Sequence, residues 1–192
     1  MVMTDLAKEQ KAIQNKVQQH LAQLRRQAFR IGVQVLQPGD TYTVKTADGE
    51  ETITVDVAGT LPCKANITDA GFDLFTPYDV EIESGQVVKI PINIRMELPA
   101  GSWGRIETKS GLGAKGMLVY AGVIDQDYRG VPHIIMTNLN WYEDKPLKVK
   151  AGSKIAQMTM NPHNIEFFVE QVESVSTDTA RGEGGFGSTG SK

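Results

Sequence analysis

The hydrophobic period of this chain changes once, at Gly32, and that change limits what it can fold into. Beyond Gly32 the apolar residues stop recurring at helical spacing and begin to alternate. Gln34-Val35-Leu36 run into a Pro38-Gly39-Asp40 turn and Tyr42-Thr43-Val44 into Asp48-Gly49, while Ile53, Val55 and Val57 alternate with Thr54, Asp56 and Ala58. Successive strand side chains point to opposite faces, so alternation bounded by turn residues reads as strands and hairpins. The pattern continues at 80–83, 87–90, 92–96, 134–136, 147–149, 155–160 and 167–172. Short strands at regular spacing predict an all-β antiparallel sandwich or barrel.

Before Gly32 the spacing is helical. Leu6, Ile13, Val17, Leu21, Leu24 and Ala28 share one face, Thr4 or Asp5 can cap it, and no Gly or Pro interrupts residues 4 to 30. Gaps at Gln10 and His20 make it a modest amphipathic helix. Lys8, Lys11, Lys16, Arg25, Arg26 and Arg30 outnumber Asp5 and Glu9, so residues 1–30 carry 6 − 2 = +4 within a chain of net charge −3. Such an arm could touch a protein or nucleic-acid partner, although a solvated basic face is the commoner outcome. The expected organisation is an extension over 1–50, a β core over 51–180 and a Gly-rich arm over 181–192.

Other classes are set aside by composition. No apolar run approaches the ~20 residues that span a bilayer, and the near-balanced charge gives no whole-chain field for nucleic acid. One cysteine, Cys63, can form neither an intrachain disulfide nor a Cys-rich zinc site. Acidic and basic residues interrupt the N-terminus where a signal peptide would be apolar, and Asp5 and Glu9 disfavour a presequence. A cytoplasmic setting follows as the expectation, or a host cell's nucleotide-metabolising compartment if the source is viral.

Three segments call for chemistry. In Gly122-Val123-Ile124-Asp125-Gln126-Asp127-Tyr128-Arg129-Gly130, apolar Val123 and Ile124 can anchor a turn with Asp125 at its mouth. There a carboxylate can orient a water and accept its proton, and Tyr128 offers a flat face to a sugar or base. Lys109-Ser110-Gly111-Leu112, with Lys115, combines amides, a hydroxyl and cations that suit phosphate, yet lacks the order and frame of a P-loop. Arg181 to Gly190 places a cation, Phe186 and two hydroxyls on a strap with glycines at 182, 184, 185, 187 and 190. A lone Phe in such a strap suits stacking.

With Ala70-Gly71-Phe72-Asp73-Leu74 and Gly152-Ser153-Lys154-Ile155-Ala156-Gln157, these make five ordered motifs. The chain resembles the trimeric deoxyuridine triphosphatases over roughly residues 51 to 192. The resemblance implies a jelly-roll-like antiparallel β-barrel, here with an N-terminal helical extension. It also implies a homotrimer with sites shared between subunits, and Mg²⁺-assisted hydrolysis of dUTP to dUMP and diphosphate, which limits uracil incorporation into DNA. Carried over residue by residue, Asp125 activates the water that attacks the α-phosphorus. Gly122, Val123 and Ile124 form the uracil pocket and Tyr128 packs under the deoxyribose. Lys109, Ser110, Gly111 and Gln157 meet the phosphates. Arg181 meets the γ-phosphate, Phe186 stacks on uracil, and Gly187, Ser188 and Thr189 close over the site. Asp73 stands in the outer shell of a magnesium held mainly by phosphates, or in the frame of the site.

Three positions depart from the family pattern. Lys109 and Lys154 stand where Arg is usual, losing the planar bidentate fork. His133, behind Pro132, stands where a small Gly is usual. Two alternatives remain open at this level. A dCTP deaminase shares the fold but needs a catalytic Glu, and Glu107 is poorly placed for it. A non-catalytic regulatory module could use the N-terminal extension.

Overall fold

The computed structural model describes residues 11–23, 30–141, 145–163, 170–172 and 174. Helix α1 (11–23) is followed by thirteen strands and one short helix. The helix displays Ile13, Val17 and Leu21 to solvent. The strands are β1 (Gly32–Val35), β2 (Thr41–Thr46), β3 (Gly49–Thr54), β4 (Gly71–Phe75), β5 (Val80–Ile82), β6 (Val87–Pro91) and β7 (Ile94–Glu97). After β8 (Ser102–Glu107) and helix α2 (Ser110–Gly113) come β9 (Met117–Tyr120), β10 (Val123–Ile124), β11 (His133–Asn138), β12 (Leu147–Val149) and β13 (Lys154–Pro162). No helix among the described residues is long and apolar enough to cross a membrane.

Every strand pair is antiparallel, in five small sheets. The largest runs β10-β8-β13-β4, beside β6-β11-β9, β12-β5, β1-β7 and β2-β3. One core fills the space between them, including Leu74, Ile82, Ile92, Ile94, Ile134, Met136, Ile155 and Met158. Most of these are the inward-facing residues of alternating strands, with Ile92 between β6 and β7, so burial of one apolar face per strand fixes the register. The all-β architecture with an N-terminal helix expected from the alternation is the one observed.

Beyond residue 30 the segment assigned to the extension is built into the fold. β1 pairs with β7 from Gly32↔Glu97 to Val35↔Ile94, and Ile31, Val33 and Val35 pack on the main core. Leu36, Tyr42, Val55 and Val131 make a second small core. Buried Asn93 joins the two regions. It adopts φ 51° and donates Nδ2 to the Val57 carbonyl (2.8 Å) and to Tyr78 Oη (3.0 Å). A boundary at residue 50 would cut β3 in two, so the break in organisation falls near residue 30. Alternation past Gly32 already carried this signal, and the absence of family motifs there obscured it.

Candidate active site

The longest of the described strands, β13, sets the end of the fold that carries Asp73, Lys109 and Gln157. It pairs with β4 on one side and β8 on the other, and a register shift at Lys154/Ala156 lies between Phe75 and Leu74. Gln157 therefore sits between Asp73 and Glu107. Gln157 Nε2 donates to the Thr108 carbonyl (3.4 Å), and Thr108 Oγ1 accepts from the Val119 amide (2.8 Å). Strand β8 then leaves the sheet at Lys109, whose extended backbone starts the single turn of α2. Ser110 and Gly111 are exposed, and a Cβ built on Gly111 would meet nothing within 4 Å. The first amides of a helical turn have no acceptor inside it, so this turn offers N–H groups and a hydroxyl to an anion.

Asp73 is buried beneath that turn and engages two cations. Its Oδ1 accepts from Lys109 Nζ, and its Oδ2 accepts from Lys154 Nζ at 2.7 Å. Burial alone would raise the Asp73 pKa. The hydrogen bonds and charges of Lys109 and Lys154 outweigh it and hold the carboxyl below its ordinary value. Lys154 is pushed up by the same bond. Both carboxylate oxygens are thus engaged by lysines, which suits a framework role for Asp73. Lys109, expected at the phosphates, points to Asp73. Among the described residues no group of three His, Cys, Asp or Glu comes together as a metal site.

The Gly122–Gly130 end is shaped by backbone contact. Ala121, at φ 47°, turns the chain from β9 in one sheet to β10 in another. Gly122 then lies against β8. The Ile106 amide donates to the Gly122 carbonyl (2.7 Å), and a Cβ on Gly122 would stand 2.0 Å from the Ile106 oxygen. Only glycine fits that approach. Of the pair that follows, Ile124 is buried and Val123 is 60% exposed. Ile124 anchors the turn while Val123 remains free to line a pocket. Asp125 is exposed at its mouth, and its carbonyl accepts from the Tyr128 amide (3.2 Å). Gln126 Oε1 accepts from the Gly101 amide (2.6 Å), and Arg129 Nη1 donates back to the Gln126 and Tyr128 carbonyls (2.7 and 3.1 Å). Tyr128 leaves part of its ring exposed and donates Oη to the Val131 carbonyl (3.1 Å).

The two ends lie toward opposite ends of β8. β10 runs antiparallel to β8, with Val123 opposite Arg105 and Ile124 opposite Gly104. Asp125 therefore lies toward the Trp103 end of β8, whereas Lys109 and Ser110 leave from the other end. Trp103 and Glu107, four residues apart on β8, are about 13 Å apart at a strand rise of ~3.3 Å. Arg181, Phe186, Gly187, Ser188 and Thr189 lie outside the described residues. The motifs did not flag Tyr42, which stands behind the Tyr128 turn. Its alternation with Val44 marked a buried face, but gave no hint of what that face covers.

A family model described as dUTPase matches residues 58–190, well over half of the chain. The chain is 34% identical over 187 residues to the Pol polyprotein of Ovine maedi visna related virus, covering 95% of this chain and 16% of the polyprotein. It is 38% identical over 134 residues to the human mitochondrial deoxyuridine 5′-triphosphate nucleotidohydrolase, covering 68% of this chain and 50% of that enzyme. The chain thus spans half or less of these two relatives. Among solved structures, the dUTPase of Staphylococcus bacteriophage 80alpha with dUpNHpp superposes with a TM-score of 0.66 at 22% identity, covering 84% of this chain and 99% of that one. The matched region contains the Gly122–Gly130 turn, the Lys109–Gly111 loop and the Asp73–Gln157 strands, and on this match the chain belongs to the dUTPase family.

Proposed function

We propose that the protein hydrolyses dUTP to dUMP and diphosphate. The observation that carries this reading is the 122–130 turn. Its close backbone approach at Gly122 holds an exposed carboxylate, Asp125, beside an exposed aromatic face, Tyr128. A water on Asp125 would be deprotonated as it attacks the α-phosphorus, and diphosphate would leave. Tyr128 would lie under the deoxyribose, where a 2′-hydroxyl would collide. The Gly122 and Val123 backbone would read the uracil edge, and Ile124 would keep that edge rigid. Ser110 and Gly111, with Gln157 behind them, would receive the phosphates at a separate end of the fold.

The departure of the two groups from opposite ends of β8 supports assembly of each site from more than one subunit, and we propose the homotrimer on that ground. Arg181, Phe186, Gly187, Ser188 and Thr189 of the arm would complete the site over the γ-phosphate and base. Magnesium would arrive with the triphosphate and neutralise its charge, as suits a hard cation that keeps its waters. Lys109 would act mainly by holding Asp73, and so the α2 turn, in place. The deaminase reading loses ground, because Glu107 is partly exposed and paired to Arg105 Nε (2.9 Å). That is not the setting of a buried general base.

Diphosphate release tests the proposal. dUTP should be cleaved, with dCTP, dTTP and UTP turned over far more slowly. Ammonia release from dCTP would overturn it in favour of the deaminase. Sedimentation should give a trimer, and an active monomer would refute the shared site.

A further inference from the structure

We propose that Tyr42 and His133 are positioning residues that fix the angle of the Tyr128 ring, and so set how strictly the protein separates deoxyribonucleotides from ribonucleotides. The inference rests on the reading of Tyr128 as the platform under the sugar. Neither residue belongs to a family motif, and Tyr42 lies outside the matched region.

The geometry converges on one atom. The Val131 carbonyl accepts from Tyr128 Oη at 3.1 Å, and His133 Nδ1 lies 2.9 Å from the same oxygen, donating in its Nδ1–H tautomer. A carbonyl has two lone pairs, so it can take both donors at once. His133 is in turn held by Tyr42, whose ring meets the imidazole edge-on at 6.2 Å and 63°. Tyr42 is only 4% exposed and packs with Leu36, Val55 and Val131, so it is not free to swing away. Gly130 completes the arrangement. A Cβ there would stand 2.4 Å from Tyr128 Oη and 2.6 Å from Cζ, so the ring folds over a position that only glycine leaves open.

The chain of contact therefore runs from the β2–β3 hairpin through Tyr42, His133 and the Val131 carbonyl to Tyr128. Burial holds the His133 pKa below its ordinary value, although the Val131 bond opposes this, and the nearby Lys89 charge lowers it further. The imidazole thus stays a neutral single donor over the neutral range. Its effect on Tyr128 is geometric and not electrostatic.

The experiment compares kcat/KM for dUTP and UTP in the full-length protein. His133→Gly removes one donor from the Val131 carbonyl and restores the residue usual in the family. Tyr128→Phe removes the other donor without removing the ring. Each should lower the dUTP/UTP ratio by about tenfold, the scale of one ordinary hydrogen bond, mainly by improving UTP. The double variant should lose little beyond either single one, because both act through one carbonyl. Unchanged ratios in both single variants, or fully additive losses, would overturn the clamp. Tyr128→Ala separates this from the platform reading. If it leaves the ratio unchanged, the platform itself is wrong. If it collapses the ratio while His133→Gly and Tyr128→Phe do not, the platform stands and the clamp fails. Should His133→Gly misfold, His133→Phe takes its place, since it keeps a ring against Tyr42 and removes only the donor to the Val131 carbonyl.

Discussion

The two ends of the proposed site are held by different physics. At the phosphate end, one buried carboxylate binds two lysines, and a short exposed turn rests on that triad. At the nucleoside end, no charge pair among the described residues shapes the turn. Glycine lets two backbones approach, Ile124 is buried, and Asp125 and Tyr128 are left exposed. An ionic frame tolerates small displacements, because Coulomb attraction falls off gently with distance. Close backbone packing tolerates none, because repulsion is steep. That contrast suits the tasks proposed. Phosphates are recognised by charge, whereas a sugar lacking one hydroxyl must be recognised by shape.

The comparison is broken most severely at Asp125. Asp125→Asn keeps the shape of the turn and removes only the proton acceptor. The rate should fall by about 10²–10⁴ with nucleotide binding largely kept. Single-turnover kinetics beside a binding titration would show it, and a near-normal kcat would remove Asp125 from its role.

Next in size is the N-terminal boundary. Removing residues 1–30 should leave the fold intact, since the described helix shows its apolar face to solvent. Removing residues 1–50 takes away β1, Leu36 and Tyr42, and should cost about 4 kcal/mol at roughly 1.5–3 kcal/mol per buried side chain. Denaturant unfolding of the two truncations would separate them. Equal stability would mean that β1 and the hairpin only decorate the core.

This boundary also shows how far the sequence could be read. Alternation made β2, β5, β6, β11, β12 and β13 legible, because each presents one apolar face to the core. Gly71–Phe75 and Ser102–Glu107 escaped, although both are strands of the main sheet. Their glycines and polar residues look like loop chemistry, and it is pairing with β13 that makes them strands. For 92–96, alternation extends the strand too far. Asn93 at φ 51° breaks it and starts β7 at Ile94. At the site, the residue types were readable and the distances were not. Nothing local reveals that Asp73 holds two lysines 36 and 81 positions away, because strand pairing alone brings them together.

Gly122→Ala tests the backbone-packed end directly. The added Cβ must move about 1 Å or more to clear the Ile106 oxygen, so the turn should shift or the protein lose about 2–3 kcal/mol. The shift alone should reduce kcat/KM sharply, since misplacement by ~1 Å costs about 10² in rate. Gly111→Ala, where a Cβ meets nothing within 4 Å, is the matched control at the phosphate end and should fold as well as the parent. If the two glycines respond alike, the asymmetry between the ends is not real.

The smallest effect probes the ionic frame. Asp73 has its pKa held below the ordinary value by Lys109 and Lys154, so its stabilisation is fully present above the unfolded pKa, near 3.8. It is lost as pH falls below that value and through the still lower folded one. Lys154 behaves in the opposite sense. Its pKa is raised above 10.5, so its share is present below that pH and lost only as pH rises through the folded value. Asp73→Asn keeps the shape but leaves two ammoniums facing each other, and should cost about 2 kcal/mol near neutrality, less than a fully buried pair because both lysines are partly exposed. As pH falls through 3.8 and below, the parent should lose stability faster than Asp73→Asn, and the two curves should draw together. Parallel curves over that range would mean that folding leaves the Asp73 pKa unshifted, so that the two lysines do not stabilise its charge, and the phosphate turn would then rest on packing alone, like the end it was contrasted with.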